Sequence, residues 1–164
     1  MENLKKELDY SLSDDDIKNH LGQDTKILKY ADLNNYKTLD ELLPKEKDYV
    51  VILIETKRNN GHWTTLIKNN NQIEYFDSYG LDIDKEFGFI SSVMKRMLGE
   101  SKNQLGTLVD DSNYDVIYNN KQLQSHKDFV STCGRHVVSR ILNFKKGMGL
   151  KDYIDYLDFF KKTK

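Results

Sequence analysis

Cysteine, proline and tryptophan each occur once in these 164 residues. A lone cysteine, Cys133, excludes an internal disulfide framework and any zinc site built from several thiolates. It fits a reducing compartment. No sign of charge is in excess: 25 Lys and Arg stand against 26 Asp and Glu. The global electrostatics therefore give no case for a nucleic-acid or membrane partner. Long apolar runs are missing too. The longest, Tyr49 to Ile54, is far too short for a bilayer, and Met1 to Lys6 opens no apolar stretch of the kind a secretion signal needs. There is no internal repeat. The length fits one domain over residues 1–164, with 1–11 and 162–164 expected to be loosely held.

What is present is strong local patterning. Ser13 followed by three aspartates predicts a capped helix with Ile17, His20 and Leu21 on one apolar side and Gly22 as its stop; His20 itself reads as a surface or half-buried residue. Residues 26–30 read as a short strand, and Thr38 to Leu43 as a small helix ended by Pro44. Lys45 to Asp48 reads as a charged loop. Tyr49 to Glu55 is a β-branched run suited to a strand covered on both faces. A turn at 58–61, a strand at 62–67, a polar tip at 68–72 and a strand at 73–77 continue an antiparallel meander. Asp84 to Gly99 has helical spacing, Glu100 to Asn113 reads as a polar loop, and Tyr114 to Asn119 as a fourth strand. Helices are expected from Gly134 to Lys145 and from Leu150 to Lys161, the last packing through Tyr153, Ile154, Leu157 and Phe160. The class is α+β, a small mixed sheet flanked by helices.

The chemistry gathers at three places. Cys133 starts a helix whose Val137, Val138, Ile141 and Leu142 share one side, with Ser131 or Thr132 available as its cap. A thiol there feels the positive end of the helix dipole, which favours thiolate. His62 opens one strand of the predicted hairpin and Asp77 closes the other. A register with Ile67 near Ile73 brings His62 to Asp77 or Ser78. A carboxylate there fixes the imidazole tautomer and supports its charged form. Such a set suits attack of Cys133 on a carbonyl, with His62 as base and then as acid to the leaving amine. The oxyanion needs donors: the Cys133 N–H is one, and a loop glutamine, Gln124 or alternatively Gln122, is the other.

Gly61-His62-Trp63, then Phe76-Asp77-Ser78-Tyr79-Gly80, then a glutamine, then Thr132-Cys133-Gly134-Arg135-His136 resembles the adenovirus-protease and ubiquitin-like-protein-protease superfamily of cysteine peptidases. The likeness runs from about Ile27 to Leu142, and the phrasing is most similar to maturation proteases of large double-stranded DNA viruses and virophages. The resemblance implies a circularly permuted papain-like core. It also implies an endopeptidase that cuts viral capsid and core precursors at glycine-containing sites, with His62, Asp77, Cys133 and Gln124 as catalytic residues. Trp63 would cover a narrow groove for glycine-rich substrate, with Tyr30 or Tyr79 standing in for a second tryptophan. The spacing departs from the family at the glutamine. Gln124 lies nine positions before Cys133 and Gln122 eleven, farther than relatives place theirs, and His126 offers another donor.

The adenovirus enzyme is stimulated by a disulfide-linked peptide, a route closed to a chain with one cysteine, and by DNA, for which the balanced charge gives no support beyond the Lys145-Lys146 and Lys161-Lys162 pairs. The expectation is a monomer without metal or cofactor, not secreted, acting on polypeptide substrates in the virion and the host-cell cytoplasm or nucleus. A deconjugating protease for ubiquitin, SUMO or a related modifier is the alternative. An acyltransferase and a non-enzymatic assembly module rank below both.

Overall fold

The computed structural model describes residues 12–57, 60–123 and 132–162. The expected lead-in at 1–11, Arg58 and Asn59 of the expected turn, and the loop 124–131 with Gln124 and His126 lie outside them.

Five strands form one mixed sheet in the order β1-β2-β3-β4-β5. They are β1 (Ile27–Lys29), β2 (Lys47–Lys57), β3 (Asn60–Asn69), β4 (Gln72–Phe76) and β5 (Asp115–Tyr118). β2, β3 and β4 form the antiparallel meander, and β1 and β5 flank it in parallel pairing. Strand β2 starts earlier than expected, absorbing Lys47 and Asp48 of the predicted charged loop. The β3–β4 turn is also tighter than expected. Asn69 pairs with Gln72, so the turn itself is Asn70-Asn71, with Asn70 in the left-handed region that Asn tolerates.

That turn sets the register. Lys68 lies opposite Ile73 and Ile67 opposite Glu74, one residue away from the expected Ile67–Ile73 pairing. β3 also outruns β4: their last pair is Thr65 with Phe76, so His62 and Trp63 project past the end of β4.

The period of two along β2 divides the core. Val50, Ile52 and Ile54 join one apolar cluster with Leu66, Ile73 and Tyr75, while Val51 and Leu53 join a second with Trp63, Ile67 and Phe76. On the first face lie α2 (Leu39–Leu42), a 3-10 turn at Tyr30–Asn35, another at Lys85–Phe89, and α4 (Gln104–Asp110). On the second lie α1 (Asp14–Leu21), α5 (Cys133–Lys145) and α6 (Leu150–Lys162). Ser13 caps α1 with Asp16 in a reciprocal capping box. Among the described residues no helix is long and apolar enough to cross a membrane.

Several expected elements take another form. The long helix over 84–99 is broken into the 3-10 turn at Lys85–Phe89 and α3 (Ser92–Leu98), because Ser91 caps a fresh helix through a bond from Met94 N. The expected polar loop 100–113 contains α4, which buries Leu105, Leu108 and Val109 at i, i+3 and i+4. Leu142 is 37% and Phe160 48% exposed, so neither completes the apolar face expected of it. Thr132 precedes α5 without a side-chain capping bond, and Ser131 is outside the described residues.

The largest surprise in the core is Arg140 on α5, 1% exposed. Its Nε and Nη2 each donate across 2.8 Å to the two oxygens of Glu74 on β4. Nη1 donates to the Met148 carbonyl at 3.0 Å, and the guanidinium lies over the Tyr153 ring. This fork fixes where α5, and hence its first residue, sits against the sheet.

Candidate active site

His62 and Asp77 meet at the end of the sheet where β3 extends past β4. Position 62 has the parity of Leu66 and position 77 that of Ile73 and Tyr75, so both side chains share the first face. His62 Nε2 is 2.7 Å from Asp77 Oδ1, and both residues are buried. The one-residue shift in register does not separate them. It places position 79, not 77, on the extension of the ladder opposite 62. There the Tyr79 ring stacks on the imidazole with centroids 4.3 Å apart. His62 reaches diagonally to Asp77 instead.

The carboxylate is held by its own turn. Tyr79 N donates to Asp77 Oδ1 at 2.8 Å, and Gly80 N donates to the Asp77 carbonyl at 2.9 Å. Asn119, buried just after β5, donates its side-chain amide to that same carbonyl at 2.8 Å. Gly80 has φ +77°, and a Cβ there would lie 2.7 Å from the Lys121 carbonyl carbon, so the loop after β5 lies directly on this turn.

Cys133 arrives from the other face. It is the first residue of α5 and is buried. The backbone N–H of Trp63 donates to its Sγ at 3.4 Å, which places the sulfur beside the part of β3 that has no β4 partner. First-turn N–H groups of a helix have no intrahelical acceptor and point outward, so the amino end of α5 presents donors and a positive dipole beside the thiol.

Electrostatics follow from this enclosure. Burial pushes the His62 imidazole down, but the bond to Asp77, the thiol of Cys133 and the charges of both outweigh it and hold the ring up to about 10. Among the described residues, neither His62 Nδ1 nor Asp77 Oδ2 has a hydrogen-bond partner. The arrangement therefore presents a charged imidazole, a carboxylate behind it and a thiol in front, the makings of a thiolate–imidazolium pair.

Trp63 is buried next to the pair, its Nε1 donating to the Leu12 carbonyl at 2.9 Å. Gly134 permits this crossing: a Cβ on it would lie 2.9 Å from Leu12 Cβ and 3.2 Å from Trp63 Cδ1. Of the two aromatics expected to complete a groove, Tyr79 is at the site. Tyr30 is not: it is buried in the first cluster, edge-on to Phe87, its hydroxyl donating to Asp84 at 2.6 Å. Gln122 is exposed on the loop after β5 next to Gly80, and Gln124 lies outside the described residues. His20 is exposed on α1.

Beyond the groove role expected of Tyr79, three features of this site carry no clear signal in the sequence: the stacking of its ring on His62, Asn119 as a brace, and Glu86. The last, on the 3-10 turn at Lys85–Phe89, is buried and brings a carboxylate oxygen within 4.8 Å of ligand-type atoms of His62 and Asp77.

No family model matches the chain. Among solved structures it resembles the SUMO protease Ulp1 with its catalytic cysteine oxidised to a sulfinic acid, at 16% identity and a TM-score of 0.43, over 83% of this chain and 67% of that one. In sequence it is 32% identical over 158 residues to "Uncharacterized protein V9" of Sputnik virophage, an alignment that covers 93% of this chain and 89% of that protein. At that identity and coverage the chain belongs to the family of the virophage protein V9.

Proposed function

We propose that this chain is a cysteine endopeptidase, acting as one protease domain on viral structural precursors at glycine-containing sites during particle maturation. The observation that carries the reading is the buried His62–Asp77 pair at 2.7 Å, set beside a cysteine at a helix amino end. In the proposed reaction the Cys133 thiolate attacks the scissile carbonyl carbon, forming the C–S bond and an oxyanion. The Cys133 N–H and a glutamine amide, Gln124 or Gln122, stabilise that charge. His62 then gives its proton to the departing amine. Taking a proton from water, it next directs hydroxide onto the thioester, which releases the acid and restores the thiol. Asp77 keeps the ring oriented throughout. Trp63 and Tyr79 flank the residues that would receive the substrate backbone. Kinship with a virophage protein supports the viral setting, in the virion and the host compartment where particles assemble.

The test is incubation of the purified chain with viral structural precursor proteins, followed by sequencing of new amino termini. Cleavage that disappears in Cys133→Ala is the expected result; cleavage that persists in that variant removes the assignment. Rapid labelling of Cys133 by a ubiquitin or SUMO carboxy-terminal warhead, without precursor cleavage, would favour a deconjugating enzyme instead.

A further inference from the structure

Among the described residues, Glu86 is a buried carboxyl beside the pair to which the proposed mechanism gives no task. It sits on the 3-10 turn that closes the first face of the sheet, 5% exposed, and its Oε2 has no hydrogen-bond partner among the described residues. A carboxylate left this way in an apolar layer is costly to keep ionised. Its neighbours decide its state. His62 faces it from β3, Asp77 from the end of β4, and the Tyr75 hydroxyl from within β4; Asp84 and Lys85 adjoin it on its own segment.

We propose that Glu86 is a positioning residue of this site, a second carboxylate beside the His62–Asp77 pair that holds the imidazole in its charged, Asp77-bonded form. The inference rests on the peptidase reading above. Burial raises the Glu86 carboxyl, the positive imidazole opposes that rise and the Asp77 charge adds to it, leaving the group at about 7. Below that pH Glu86 is neutral, and the imidazolium is balanced by Asp77 and the thiolate. Above it the second negative charge is present within 4.8 Å and resists loss of the His62 proton, so its effect is confined to the alkaline side. The three groups titrate as a coupled set.

The experiment follows the His62 ring resonances by NMR across pH in the wild-type chain and in Glu86→Gln. Alkylation of Cys133 by iodoacetamide is measured in parallel. Glu86→Gln is expected to lower the His62 midpoint by roughly one pH unit and to bring in the alkaline limb of kcat/KM by the same amount, with the acid limb in place. Should the variant misfold, 13C-labelled glutamate in the wild-type chain serves: the Glu86 carboxyl and the His62 ring must register each other's titration. An unmoved His62 midpoint, or a Glu86 carboxyl titrating in the ordinary range with no response from His62, overturns the inference. A separate outcome tests the reading beneath it. A wild-type Cys133 that alkylates as an ordinary thiol, with a midpoint of about 8.5, sinks the peptidase mechanism whatever Glu86 does.

Discussion

The backbone N–H of Trp63 donates to the sulfur of Cys133 at 3.4 Å, across 70 positions of sequence. Both residues belong to the second face, and the contact brings the thiol to the strand that carries His62 on the first. Because β4 stops at Phe76, the edge of β3 beyond it offers donors, and the start of α5 fills that place with a thiol. An N–H aimed at sulfur favours thiolate, as do the helix dipole and a charged His62.

The contribution of the carboxylate behind His62 can be isolated. Asp77→Asn keeps an oxygen for the Tyr79 N–H but removes the charge that supports the imidazolium. Alkylation of Cys133 at pH 6 should then slow at least about tenfold, the factor that one pKa unit represents. A rate equal to wild type would mean that the thiol is activated without the pair.

How much of this is visible in the sequence depends on how local the signal is. The meander is legible because β2 is a β-branched run and Asn70-Asn71 is turn chemistry. Cys133 at a helix start is legible from small polar residues followed by helical spacing. The register is not, since moving the turn by one residue costs nothing that periodicity can detect; only the formed hairpin shows Tyr79, rather than Asp77, opposite His62. Helix α4 is hidden because three apolar residues among polar ones match a loop as well as a helix until a face exists to bury them. Arg140 and Glu86 are unreadable for a different reason: charged residues are presumed exposed, and the groups each of them meets inside come from distant strands.

Two glycines beside the site should respond differently to alanine. A Cβ on Gly61 would lie 2.1 Å from the Ile54 carbonyl oxygen and 2.7 Å from Glu55 Cα, so backbone must move, immediately before His62. Gly61→Ala is expected to cost about 2–3 kcal/mol and to abolish peptidase activity. At Gly134 the obstacles are the side chains of Leu12 and Trp63, which yield more cheaply. Gly134→Ala should lose less stability than Gly61→Ala in urea denaturation. The reverse order would contradict the packing around both.

The Arg140–Glu74 fork should behave as a buried pair in which either half alone is harmful. Arg140→Met leaves the Glu74 carboxylate without its two guanidinium bonds and should cost about 3–5 kcal/mol. Adding Glu74→Leu removes the stranded charge, and much of the loss should return. Because the fork sets how α5 lies on β4, the double variant should still show slower alkylation of Cys133 at pH 6 than wild type. A double variant as unstable as Arg140→Met would deny the coupling; one that alkylates at the wild-type rate would deny the positioning role.

A buried carboxylate that the proposed mechanism does not use gives a prediction with a definite sign. Glu100 is 1% exposed; its Oε1 accepts the Glu55 N–H at 2.7 Å, while Oε2 has no partner among the described residues. Burial raises its carboxyl to about 7, the Glu55 amide bond only partly opposing that. Between the unfolded value of 4.5 and about 7 the folded chain therefore binds more protons than the unfolded one. Stability must fall as pH rises through that window and, for this group, level off above it. His62 acts in the same direction at higher pH: raised to about 10 from 6.5, it contributes stability that is whole below 6.5 and is lost as pH climbs through 10. Glu100→Gln keeps an acceptor for Glu55 N and cannot ionise. Urea unfolding at pH 5 and pH 8 should show a clear drop for wild type and a smaller one for the variant. Equal drops in the two proteins would mean that Glu100 titrates alike in the folded and unfolded chains.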